Sequence, residues 1–149
     1  MEIKQYTKEL IPDILQFERD LRSEENFWGW EIDEKYIADV TKSFENPAFA
    51  NSLSLLAYMD GKVVGRIDST KICSYFDGST KAYLDWICVI KSYRHKGVAQ
   101  ALMQTLRKEL KAQGVDSLIG LIASSEDAQR FYRKLPNSEI RDEGIWIDL

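Results

Sequence analysis

The segment from Lys81 to Gly114 limits the available folds more than any other. Lys81 to Ile90 reads K-A-Y-L-D-W-I-C-V-I, a long, mostly apolar run that fits a central strand. Lys91-Ser-Tyr-Arg-His-Lys-Gly97 follows, and then the strongest helical pattern in the chain, Gly97 to Gln113. Val98, Leu102, Leu106 and Leu110 recur every four residues, with Ala99 and Met103 beside them. Arg107, Lys108 and Lys111 fall on the wet side and toward the C-terminal end, where the helix dipole favours cations, and Gly114 supplies a stop. A strand that passes through a basic, glycine-containing turn straight into a helix requires a mixed α/β architecture.

The remaining elements fit around that unit. Ile3 to Tyr6 predicts a short strand, and Thr7 caps a helix carrying Leu10, Ile11, Ile14 and Leu15 that ends near Arg22. Asp33 caps a second helix, through Tyr36, Ile37, Val40 and Phe44, which stops before Asn46-Pro47. Ser52–Met59 and Val63–Ile72 flank Asp60-Gly61 as a hairpin. Ser117 to Ala123 predicts another buried strand, Ser124 or Ser125 caps a short helix to about Lys134, and Ile145 to Leu149 predicts a last strand. The order is β-α-α-β-β-β-α-β-α-β, with no repeats and no linker, so residues 1–149 are expected to form a single domain.

Bulk properties narrow the function. The net charge of −4 argues against nucleic acid as a partner. No apolar run is long enough to span a membrane and the N-terminus lacks a signal-peptide pattern, which predicts a cytoplasmic protein that does not engage membranes. Cys73 and Cys88 are far apart and His95 is the only histidine, so no metal site is expected.

In an acidic chain, a local basic turn is informative. A helix N-terminus offers unpaired N–H groups and the positive end of a dipole. Gly97 lets the backbone approach an anion without a Cβ, and Arg94 and Lys96 add charge. The triphosphate pattern GxxxxGK[ST] and the dinucleotide pattern GxGxxG are absent. A solvated turn, or a site for a nucleotide or phosphate ester, are the other readings of these residues alone.

Arg94-x-x-Gly97-x-Ala99, after the strand Leu84 to Val89, resembles the coenzyme-A motif [Q/R]-x-x-G-x-[G/A] of the GNAT superfamily of N-acetyltransferases. Ala128-Gln-Arg-Phe131-Tyr132-Arg-Lys-Leu135 resembles that family's later motif, N-x-x-A-x-x-[FL]-Y-x-x-x-G-F. The resemblance covers the order of elements along essentially the whole chain. It implies a mixed, mostly antiparallel sheet with helices on both faces, and acetyl-CoA as cosubstrate. It implies that the backbone of Arg94, His95, Lys96, Gly97, Val98 and Ala99, with Gln100, holds the diphosphate. Ile87, Cys88 and Val89 would pair with the pantetheine arm, and Ser125 and Ala128 would stand near it. Ser125 replaces the usual Asn, and Pro136-Asn137 replace Gly-Phe. Those departures motivate an alternative: a CoA-binding sensor or partner-binding domain without turnover. Relatives are often dimers, so the resemblance allows a homodimer.

The implied chemistry is attack of a neutral amine on the acetyl thioester, with protonation of the departing sulfur. Tyr132 matches the family's general acid. A free tyrosine titrates at about 10 and a thiol at about 8.5, so the phenol arrives protonated at neutral pH. Its other reading is a ring packed beside Phe131. Asp85 stands where relatives relay a proton from the amine; its other reading is a strand-edge aspartate. Strand alternation would send Leu84 and Trp86 to the face opposite Asp85. His95, in the diphosphate turn, is expected beside phosphate or in solvent and away from the chemistry. The acceptor is expected at the loop Glu24-Glu-Asn-Phe-Trp-Gly-Trp-Glu31, where Glu25, Trp28 and Trp30 would attract a cationic amine, helped by Asp68. The same residues also read as a solvated acidic loop. A small polyamine, an aminoglycoside-like compound and a peptide amine all fit as acceptor.

Overall fold

Asp60 and Gly61 both take positive φ, 52° and 77°, which two-residue hairpin loops of the twist-matched type require. They join β2 (Ser52–Met59) to β3 (Lys62–Cys73), with Met59 opposite Lys62. The computed structural model describes residues 1–25, 31–141, 144, 145 and 147. Residues Met1–Ile119 form one compact unit and Gly120–Leu149 a second.

In the first unit, β1 (Glu2–Gln5) pairs antiparallel with β2, and β3 pairs antiparallel with β4 (Thr80–Val89). β5 (Ser117–Gly120) completes the order β1-β2-β3-β4-β5. Asp116 fixes where β5 starts: its N–H donates to Thr80 O at 2.8 Å, and its carboxylate accepts from the Thr80 N–H at 2.9 Å. A strand that begins beside the first residue of β4 can pair with it only by running the same way, so the sheet is mixed. β5 is shorter and wetter than expected, with Ile119 48% exposed; among the described residues it lies at the edge of the sheet.

Helices cover both faces. α1 (Ile11–Glu24) sets Ile14, Phe17 and Leu21 against Leu56 and Ile90. On the other face α3 (Val98–Ala112) buries Val98, Leu102, Leu106 and Leu110, as the spacing predicts. Gly65 permits that contact: a Cβ there would lie 2.8 Å from Val98 Cγ1 and 3.1 Å from Leu102 Cδ1. α2 (Glu34–Ser43) is capped by Asp33, whose carboxylate accepts from the Tyr36 N–H at 2.7 Å.

β4 carries a bulge. Asp68 pairs with Trp86 and Ser69 with Leu84, which leaves Asp85 as the extra residue. Alternation therefore fails there. Leu84 is buried beside Ser69, whereas Trp86 turns to the α1 side and meets Phe17 edge-on, ring centroids 6.5 Å apart.

The second unit carries α4 (Glu126–Arg133). Glu126 and Asp127 lie in its first turn and Arg130 and Arg133 in its last, both favourable to the dipole. Of the strand expected at 145–149, only Ile145 and Ile147 are described, and both are exposed outside any strand. Among the described residues, no helix is long and apolar enough to cross a membrane.

Candidate active site

The basic turn is built from its ends inward. Ile90, fully buried, donates its N–H to Val64 O at 3.0 Å and ties the turn to the sheet. A single 3-10 turn, Lys91–Tyr93, follows. His95 (φ 61°) and Gly97 (φ 82°) then swing the backbone through the left-handed region into α3. Nothing lies within 4 Å of a Cβ built on Gly97, so it is the backbone conformation, and not crowding, that favours glycine.

The mouth of α3 has no side-chain cap. The first bond back into the helix is from the Ala101 N–H to Gly97 O at 3.0 Å. The N–H groups of Val98, Ala99 and Gln100 come before it and are the orphan donors of the helix end. The side chain of Val98 is a core peg against Gly65, so only its backbone is available to a ligand. Gly97 and Gln100 are exposed and Ala99 is half-buried. An exposed, uncapped helix mouth of this kind presents several N–H donors to an anion.

Ile87, Cys88 and Val89 form the end of β4 that leads into the turn. On the β3 side they pair with Ile67, Arg66 and Gly65. The four residues of β5, starting beside Thr80, reach only about as far as Leu84, so among the described residues this end of β4 has no strand partner on its other flank. Burial pushes the Cys88 thiol up to about 11, so it is neutral at physiological pH.

Arg94 does not reach outward. Its Nε donates to Val89 O at 3.1 Å, and its two terminal nitrogens fork onto the Glu25 carboxylate, Nη1 at 2.9 Å from Oε1 and Nη2 on Oε2. Glu24 accepts from the Ser92 N–H at 2.8 Å and the Ser92 hydroxyl at 2.7 Å, and these bonds hold its carboxyl below the usual range. Lys96 lies over the Tyr93 ring at 4.8 Å, and His95 is exposed.

A cavity of about 900 Å³ opens on the α1 side of the sheet, with Asp85 and Trp86 in its wall. A charged network crosses it. Glu18, 5% exposed, accepts from the Tyr36 hydroxyl at 2.6 Å and pairs with Arg22 at 3.3 Å and Arg66 at 3.6 Å. Arg66 Nε sits 2.8 Å from Asp68, which also accepts from the Ser54 hydroxyl. The Arg66 guanidinium lies 5.1 Å from the Tyr6 ring and 5.8 Å from the Trp86 ring. Burial pushes the Tyr6 phenol up to about 12, and its hydroxyl has no hydrogen-bond partner among the described residues. At the rim, Lys8 pairs with Glu45 at 2.6 Å.

Asp85, exposed at the bulge, has neither an ion pair nor a hydrogen bond among the described residues. It is the cavity-lining carboxylate with no basic partner. Asp68 lines the cavity and pairs with Arg66, and Glu25 pairs with Arg94. Trp28 and Trp30 lie outside the described residues. Glu18, Tyr36 and Arg66 escaped the sequence reading. The one signal was an acidic residue, Glu18, set among the apolar positions of α1.

In the second unit, the Ser125 hydroxyl caps α4 by accepting from the Ala128 N–H at 3.4 Å. Tyr132 is half-buried and meets Phe131 edge-on at 5.2 Å. No group of three His, Cys, Asp or Glu side chains among the described residues could hold a metal.

A sequence model of the acetyltransferase (GNAT) family matches residues 2–135. No curated protein sequence matches the chain significantly. The aminoglycoside acetyltransferase meta-AAC0020, from an uncultured soil metagenomic sample and in complex with sisomicin, has a TM-score of 0.82 at 17% identity, over 99% of this chain and 95% of that one. A ribosomal-protein-alanine N-acetyltransferase from Brucella melitensis biovar Abortus 2308 gives 0.75 at 17%, over 100% and 99%. AAC(6')-Iy, in complex with the bisubstrate analog CoA-S-monomethyl-acetylneamine, gives 0.76 at 20%, over 99% and 97%. At these identities the structural likeness is one of fold. The sequence match carries the assignment, and because it runs through nearly the whole length, the chain belongs to the GNAT family of acetyltransferases.

Proposed function

We propose that the chain transfers the acetyl group of acetyl-CoA to a primary amine of a small cationic molecule or a peptide, by direct attack of the amine on the thioester. The observations that support this reading, all in one unit and among the described residues, are an uncapped helix mouth, a strand end beside it with no partner on one flank, and a cavity whose wall holds a carboxylate with no ion pair. Acetyl-CoA, when bound, supplies an activated acyl carbon and a thiolate leaving group. The N–H groups of Val98, Ala99 and Gln100 hold the diphosphate charge, and the free edge of Ile87 to Val89 offers backbone bonds to the arm. Asp85 binds the incoming ammonium and accepts its proton. The family resemblance assigns to Tyr132 the phenolic proton that goes to the departing sulfur; the second proton that the nitrogen loses as the amide forms restores the phenol.

Charge balance narrows the acceptor. The basic residues lining the cavity, Lys8, Arg22 and Arg66, are each met by Glu45, Glu18 or Asp68. Among the described residues lining the cavity, Asp85 is the carboxylate left to attract a cation, which favours an amine that brings one ammonium over a polycation. Thiol release, followed with acetyl-CoA and matched mono- and polyamines, tests this. Turnover with a preference for monoamines is expected. CoA binding without turnover on any amine would instead favour the non-catalytic binding domain.

A further inference from the structure

Glu24 and Glu25 stand where the helix dipole disfavours them. Glu24 is the last residue of α1 and Glu25 its C-cap, so both carboxylates sit at the negative end. What holds them is the basic turn. Glu24 takes the backbone N–H and the hydroxyl of Ser92, and Glu25 takes the fork of Arg94. Arg94 in turn bonds Val89 O, the last carbonyl of β4. Three elements therefore meet at one knot: the end of α1, the end of β4 and the turn that opens α3.

We infer that Glu24 and Glu25 are positioning residues for the donor turn, and that Arg94 acts with them as a clamp instead of as a ligand to the diphosphate. This rests on the reading that the turn receives acetyl-CoA. Three donors of Arg94 are already committed, and its charge is neutralised at bidentate distance. The clamp fixes the backbone just before His95 and Gly97, the two residues whose positive φ sets the entry angle of α3. Through that angle it aims the N–H groups of Val98, Ala99 and Gln100. Lys91 and Lys96, both exposed, remain as the countercharges of the turn.

The test is calorimetric titration of the full chain with CoA and with pantetheine, which lacks the diphosphate, at several salt concentrations. Glu25→Ala and Arg94→Ala should each weaken CoA binding about five- to tenfold, and the double variant should be no worse than the weaker single one. Pantetheine binding and the salt dependence of CoA binding should stay as in the unaltered chain. Glu24→Gln should weaken CoA in the same way, more mildly. Glu25→Gln, which keeps the volume but replaces one of the two acceptor oxygens with a donor and removes the charge, covers the case in which Glu25→Ala fails to fold: it should still weaken CoA. A direct phosphate role for Arg94 predicts otherwise. Arg94→Ala would then flatten the salt dependence, and Glu25→Ala, by releasing the guanidinium, would leave CoA binding unchanged or tighten it; either result overturns the inference. If the unaltered chain bound no CoA, the functional reading would fall and the inference with it.

Discussion

Gly65→Ala tests how closely the donor turn depends on the packing beneath it. The new methyl would meet Val98 Cγ1 at 2.8 Å, Leu102 Cδ1 at 3.1 Å and Cys88 O at 3.3 Å. The first two are side chains, but both are buried core pegs of α3 with little room to yield. The third is backbone in the neighbouring strand. Overpacking of this kind costs about 1–3 kcal/mol. Replacing a strand glycine by alanine returns roughly 0.5–1 kcal/mol of backbone entropy. The net expectation is roughly 1–2 kcal/mol of destabilisation, or about 3–6 °C in melting temperature for a chain of this size. Relief comes from pushing α3 off the sheet at its first residue, Val98, whose N–H belongs to the proposed diphosphate site, so affinity for CoA should fall as well. Thermal and urea unfolding measure the first effect and calorimetric titration the second. Val98→Ala removes the atom at 2.8 Å, so the double variant should be more stable than the sum of the two single losses predicts. Were Gly65→Ala as stable as the unaltered chain, with additive behaviour in the double variant, the proposed contact between α3 and the sheet would be wrong.

Three further outcomes are expected. On the proposed role of Asp85 as proton acceptor, Asp85→Asn should lower kcat/KM for the amine by about tenfold to a hundredfold while the KM for acetyl-CoA holds; steady-state kinetics with both substrates varied decides this. Burial raises the folded pKa of Cys88 to about 11, so its thiolate forms only at high pH. At pH 8 an alkylating reagent should modify the exposed Cys73 well before Cys88, as read by mass spectrometry. The same shift removes folding stability as pH rises from the free-thiol value toward 11, because the unfolded chain loses that proton first.

Features with a local chemical cause were legible in the sequence. Asp33 and Ser125 cap the helices they were expected to cap, Asp60-Gly61 turns the hairpin, and the four-residue spacing of α3 marks its buried face. The strand-turn-helix frame of the donor site followed from them. Features made by the pairing of distant segments were not legible. The bulge at Asp85 is a register shift against β3, and nothing in L-D-W distinguishes it from regular strand. Glu25 and Asp68 read as free acids until the fold brought Arg94 and Arg66 to them. β5 was overestimated because an apolar run reads alike whether it lies in the middle of a sheet or at its edge.

The central claim is that the mouth of α3 grips the diphosphate of acetyl-CoA, and Gly97→Asp addresses it most directly by adding a negative side chain beside those N–H groups. Excess acetyl-CoA, at about a hundred times its Kd, should stabilise the unaltered chain by about 2.7 kcal/mol. The variant should keep the unaltered chain's circular dichroism and show no rise in melting temperature with acetyl-CoA. A rise of equal size in both proteins, or in neither, would contradict the account.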